Sequence, residues 1–173
     1  MIFIDVERKS KKWDEVKSIE KWTKTTCKKI IPLTDLKKIL TSDFTLEASV
    51  SLVSDSQIKK INSEFRGKNK ATNILSFSNL DENFIREFGL KKAVGSSKYL
   101  LLGDIVISYE TVKKESLAQK KNFYDHLTHL ILHSILHLIG FDHEDEKMAA
   151  EMEKMEIKIL KHFKISNPYQ PKL

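Results

Sequence analysis

The stretch "HLTHLILHSILHLIGFDH", residues 126–143, constrains the fold more than any other part of this chain. Leu130, Ile131, Leu132, Ile135, Leu136, Leu138 and Ile139 surround its histidines with apolar side chains. A helix this apolar has to be covered by other elements. Its histidines must then be satisfied inside the protein, because a buried polar group without a partner is costly. His133 and His137 stand four residues apart, which is about 40° around a helix axis. Both rings can therefore reach one ion. Gly140 follows, and glycine readily takes the left-handed conformation that ends a helix. His143 comes three residues later and is placed to fold over the same ion. Three neutral imidazoles plus an open position is the usual make-up of a catalytic zinc site. The residues thus point to a metal centre built by His133, His137 and His143 on a central helix and the turn after it. The plain alternative is a buried helix that happens to carry histidines. It leaves the glycine break and the third histidine unexplained.

Neighbouring residues take lesser parts. His129, one turn before His133, is expected to sit beside the ion or line its pocket rather than ligate. His126 reads as surface or structural, and His162, in the last helix, as structural or solvated. Asp142 and Glu144 flank His143, and either can orient an imidazole or handle a proton; plain capping is the alternative. Ser134 stands where zinc proteases of similar spacing place the glutamate that activates water. Serine cannot supply that base, so peptide hydrolysis falls to second place. Met148, Met152 and Met155 share helical spacing with Ala149 and Ile159 and read as core packing.

The 173 residues suffice for one domain with a sizeable core. The single cysteine, Cys27, excludes an intrachain disulfide and fits a reducing compartment. No apolar run is long enough to span a bilayer, and "MIFIDVERKSKKWDE" lacks the layout of a secretory signal. The expectation is a cytoplasmic protein without a membrane partner. The formal net charge of +6 is compatible with a polyanion such as RNA. The lysine-rich segments "RKSKKW" and "TTCKKI" place the excess positive charge before the histidine motif.

Strands are expected at "MIFIDV", "FTLEASVSLVS", "ATNILSFS" and "YLLLGDIVISYE", the last being central. "WDEVKSIEKWTKTTCKKII" has helical spacing that Pro32 closes, and Thr34 caps a short helix after it. "DSQIKKINSEFRG" is expected as a helix capped by Asp55, striped by Ile58, Ile61 and Phe65, and ended by Gly67. Residues 80–98 form an irregular excursion with a short helix at "ENFIREFG". One long helical region runs from about Glu110 or Leu117 to Ile139. A last helix ends near Phe163, and the tail, about 165–173, is expected to fray. Early strands and late helices make the class α+β: one domain over 1–173, a mixed sheet of about four strands, about five or six helices, and the motif helix packed across the sheet.

Three blocks resemble one family. "HSILHLIGFDH" is similar to the signature H-G-x-L-H-L-x-G-Y-D-H of the YbeY-type endoribonucleases, also called rRNA maturation factors. "INSEFRGKNKATNILSF" is similar to that family's N-x-x-Y-R-G-x-D-x-x-T-D-V-L-S-F, and "LLGDIVIS" to its L-G-D-I-x-I-S strand. The likeness spans roughly residues 44–162. It implies that His133, His137 and His143 bind zinc or a similar divalent ion and that Arg66 faces the site. It also implies a single-strand-specific endoribonuclease of small-subunit rRNA 3′ end maturation and ribosome quality control, acting on RNA and not DNA. The implied fold is α+β with a four-stranded sheet. Four letters depart from the pattern: Ser134 for glycine, Asn73 and Asn69 for aspartates, and Phe141 for tyrosine.

The chemistry agrees with the resemblance. A three-histidine zinc can lower the pKa of bound water to about 7 and act as a Lewis acid toward a phosphate oxygen. Arginine at position 66 suits phosphate, being planar and always charged. Lys68 and Lys70 can steer the RNA backbone, and Asn73 and Ser76 can hydrogen-bond RNA or satisfy a strand end. The rivals are a zinc hydrolase of peptide or amide bonds and a non-catalytic, ribosome-associated zinc protein.

Overall fold

A computed structural model describes residues 1–142 and 146–170. Four strands, β1 (Ile2–Arg8), β2 (Thr45–Val53), β3 (Ile74–Ser78) and β4 (Tyr99–Ser108), form one sheet in the order β1-β2-β4-β3. β1 and β4 both run parallel to β2, and β3 runs antiparallel to β4. The mixed sheet is as expected, and β4 lies inside it.

A bulge in β4 decides which of its side chains are buried. Glu47 pairs with Leu101 but Ser49 with Asp104, so β4 carries one extra residue there. Side chains alternate along a strand, and a one-residue slip exchanges the two faces. With the bulge, Leu100, Leu102, Ile105 and Ile107 all join the main core, while Val106 joins Val53, Ile58 and Leu75 on the opposite face. Gly103 makes the bulge possible. Its φ is +145°, and a Cβ there would lie 2.2 Å from the Phe77 carbonyl oxygen.

Among the described residues there are seven α-helices: α1 (Ile19–Ile30), α2 (Asp55–Arg66), α3 (Glu82–Phe88), α4 (Leu90–Val94), α5 (Tyr109–Ala118), α6 (Phe123–Leu138) and α7 (Glu146–Leu160). That exceeds the five or six expected, for two reasons. The excursion holds both α3 and α4, and the long helical region before Ile139 is two helices. Residues 119–122 separate them: Lys120 takes φ 51°, and Asn122 caps α6 by accepting from the backbone N–H groups of Tyr124 and Asp125. The first helix also begins later than its apolar spacing indicated. A 3₁₀ turn (Lys11–Glu15) comes first, and Ser18 at φ 54° breaks the register.

Asp55 is not the cap of α2. Ser54 is, in a reciprocal capping box with Gln57. Asp55 instead ties α2 to α5: its Oδ1 accepts from Ser108 Oγ at 2.6 Å and from Thr111 Oγ1 at 2.7 Å. The excursion is anchored as well. Ile85 and Leu90 are buried, and Ile85 packs against Gly140, the turn of the histidine motif. No helix among the described residues is long and apolar enough to cross a membrane.

Candidate metal centre

α6 is held on both sides. Leu127, Ile131, Leu132, Ile135, Leu136 and Leu138 belong to the main core, and Ser134, 0% exposed, accepts a 2.8 Å hydrogen bond from Ser76 Oγ on β3. Ser134 therefore faces the sheet, not the solvent. Ser78 Oγ donates to the Leu138 carbonyl at 2.9 Å. These two serines fasten the helix to β3, and His133 and His137 line the cleft beside that joint. The helix ends at the expected glycine: Gly140 has φ 91°, and the Gly140 and Phe141 N–H groups donate to the carbonyls of His137 and Leu136.

The two rings converge. His133 Nε2 and His137 Nε2 are 3.0 Å apart. Their other nitrogens face acceptors: His133 Nδ1 donates to Glu156 Oε1 at 2.9 Å, and His137 Nδ1 donates to the Phe141 carbonyl at 2.9 Å. With both Nδ1 atoms as donors, both Nε2 atoms present lone pairs to each other. Two acceptors at that distance repel unless a positive charge lies between them. The pair thus fits a cation ligand site, with each imidazole oriented through its remote nitrogen as metal-binding histidines are. The third expected ligand, His143, and its neighbour Glu144 lie outside the described residues.

Glu156 of α7 organises this side of the site. It is 0% exposed. Its Oε1 also lies 3.3 Å from His129 Nε2, and its Oε2 accepts from the Tyr169 hydroxyl. Burial alone would raise its pKa, but the hydrogen bonds from His129, His133 and Tyr169 outweigh that and hold it at about 2. Burial, and then the bond to Glu156, push the Tyr169 hydroxyl up. His129 thus meets the Glu156 carboxylate beside the pair. The tail does not fray through its described part: Ile165 packs on the core and Tyr169 reaches the site.

A cleft of about 500 Å³ opens over the pair, lined by Arg66, Asn73, Ser76, His129, Asp142 and Tyr169 among others. Arg66, at the end of α2, lines it with no hydrogen-bond or ion-pair partner among the described residues. Asn73 is committed inward, its Nδ2 donating to both carboxylate oxygens of Glu115 at 3.2 and 3.0 Å. Ser76 is committed to Ser134. Lys68 and Lys70 are exposed outside the cleft lining, and Asn62 Nδ2 donates to the Lys70 carbonyl. His126 is not a surface residue. It is 4% exposed, and its Nε2 lies 2.9 Å from Glu115 Oε2. Burial raises the Glu115 pKa, and the bonds from His126 and Asn73 more than reverse that, leaving it below the ordinary value.

Motif and spacing do not single out three of these groups, Glu156, Tyr169 and Glu115. Glu156 does carry a signal. It stands one turn from both Met152 and Leu160, on a buried stripe where a carboxylate is found only with partners. Tyr169 carries none, since it lies in a polar tail.

Sheet, helices and cleft together define an α+β protein with a histidine-based candidate metal centre beside an open arginine. The family model described as Endoribonuclease YbeY matches residues 4–164. Relatives called Endoribonuclease YbeY, from Bartonella henselae and Bartonella quintana, are 40% and 36% identical over 169 residues, covering 98% of each chain. The chain belongs to the YbeY endoribonuclease family. Its fold is also that of a Thermotoga maritima protein solved in solution, with a TM-score of 0.50 and 22% identity over 99% of this chain and 100% of that one.

Proposed function

We propose that the whole chain, 1–173, is one metal-dependent domain that cleaves phosphodiester bonds in single-stranded RNA, with one zinc ion per chain. The reading extends to rRNA of the small subunit, its 3′ end maturation and ribosome quality control, in the cytoplasm. The observation that carries it is the meeting of His133 and His137 Nε2 atoms in a cleft that Arg66 also lines. The family relationship supports RNA as the substrate class.

His133 and His137 would hold the ion, with His143 as third ligand, and the ion supplies Lewis acidity to a phosphate oxygen and to the attacking group. Glu156 and the Phe141 carbonyl keep both Nδ1–H groups occupied, so both Nε2 atoms stay turned toward the cleft. Arg66 would grip the scissile phosphate in two-point contact, offsetting charge that grows during attack. Ser134 takes no part, because it is buried against β3.

Metal-quantified wild type and Arg66→Ala, each incubated with single-stranded RNA and with casein, test the reading. Only wild type should cut RNA, Arg66→Ala should keep its metal, and casein should survive. Cutting of RNA by the variant at the wild-type rate removes Arg66 from the mechanism, and cutting of casein overturns the substrate class. A terminal cyclic phosphate on the products marks the ribose 2′-hydroxyl as nucleophile, and its absence marks water.

A further inference from the structure

The carboxylate of Glu156 has two oxygens and three donors. Oε1 meets His133 Nδ1 at 2.9 Å and His129 Nε2 at 3.3 Å, whereas Oε2 meets the hydroxyl of Tyr169. Without that hydroxyl, no other donor among the described residues meets Oε2, in a side chain with no solvent exposure. A buried carboxylate oxygen left without a donor is costly. The carboxylate would relieve this by turning, and a turn of Glu156 releases the ring of His133 with it.

Tyr169 is delivered by a shaped segment, not a loose end. Ile165 packs on the core, Asn167 Oδ1 accepts from the Tyr169 backbone N–H at 2.9 Å, and Lys121 Nζ donates to the Pro168 carbonyl at 3.4 Å. The Tyr169 ring stands edge-on to His129, with centroids 5.7 Å apart at 88°. A phenol suits this position because it donates one hydrogen bond in a fixed direction and carries no charge into the site.

We infer that Tyr169 is a positioning residue which, by holding Glu156 Oε2, fixes the His133 ring for metal binding and so makes the C-terminal segment part of the metal centre. This rests on the reading of His133 and His137 as ligands. Outer hydrogen-bond partners of metal ligands typically matter by about 10–100-fold in affinity. Tyr169 acts one bond further out, so its loss should weaken zinc binding by about 3–30-fold.

The test is a competition titration with a chromophoric zinc chelator on wild type, Tyr169→Phe, Glu156→Gln and the double variant. Tyr169→Phe keeps the ring and removes only the hydroxyl. It should weaken zinc by the stated factor, and in the Glu156→Gln background it should add nothing, because its effect passes through that carboxylate. Tyr99→Phe, on the sheet, should bind as wild type. Unchanged affinity in Tyr169→Phe, or an effect that multiplies with Glu156→Gln, overturns the inference while leaving the metal site standing. Failure of wild type to bind zinc, or binding undiminished in His137→Ala, overturns the metal reading itself. Should Glu156→Gln not fold, nitrogen NMR of the metal-free protein decides. Wild type should hold His133 as the Nδ1–H tautomer and Tyr169→Phe should show a mixture; identical tautomers overturn the inference.

Discussion

Replacing Gly103 with alanine probes the joint between sheet and site. At φ +145° the glycine brings β3 close, and a methyl there would lie 2.2 Å from the Phe77 carbonyl oxygen, 3.1 Å from Ser78 Cα and 3.0 Å from Leu138 Cδ2. Two of these neighbours are β3 backbone, and Leu138 is fully buried in α6, so none moves cheaply. The backbone conformation costs an L-residue about 1–3 kcal/mol, and the overpacking about 1–3 kcal/mol more. Erasing the bulge offers no escape. A one-residue slip turns Ile105 and Ile107 out of the core, at about 1.5–3 kcal/mol each. The variant should therefore lose about 2–6 kcal/mol. With a urea m-value of about 2 kcal/mol/M, its unfolding midpoint should fall by about 1–3 M. A midpoint within about 0.3 M of wild type refutes the claim that this contact sets the β4 register. The same joint carries Ser76 and Ser78 to α6, so the variant should also bind zinc less tightly by the same chelator titration.

His137→Ala should remove one of two converging nitrogens and, on the proposed three-histidine site, leave only two ligands where a catalytic zinc needs three, so bound zinc, read by elemental analysis of dialysed protein, should fall to below about a tenth of the wild-type content. Glu115→Gln should flatten the acid limb of stability. The folded-state pKa of Glu115 is depressed below 4.5 by its bonds to His126 and Asn73. Its contribution is therefore complete above that value and is lost as pH falls through the folded value, so melting temperatures of the variant should vary less with pH there. Cys27, buried, with its thiol pushed up to about 12 by desolvation, should resist alkylation in the native protein at neutral pH and react once denatured. Native labelling at the denatured rate would contradict its burial.

The parts of the site that are legible in the sequence lie within a few residues of one another. The four-residue spacing of His133 and His137 and the turn at Gly140 follow from helix geometry alone, and the structure returns both. The same locality explains the strands, whose alternation needs no partner to be seen. The break between α5 and α6 is hard to read because Gln119, Lys120 and Lys121 also suit an exposed helical turn, with neither Gly nor Pro to mark the stop, while the signal for it, Asn122 capping two N–H groups, is a single polar letter.

What the chain by itself determined is therefore the pair of imidazoles on one helical face, the glycine that ends that helix, and the apolar surround that forces it beneath a sheet. What only tertiary structure decided is how each ring is held. Glu156 reaches His133 across 23 positions of chain, Tyr169 reaches Glu156 from the tail, and Ser76 meets Ser134 across 58. Such pairings depend on which faces of β3, α6 and α7 pack together, and burial is what turns an ordinary glutamate on a helix into an anchor for two histidines.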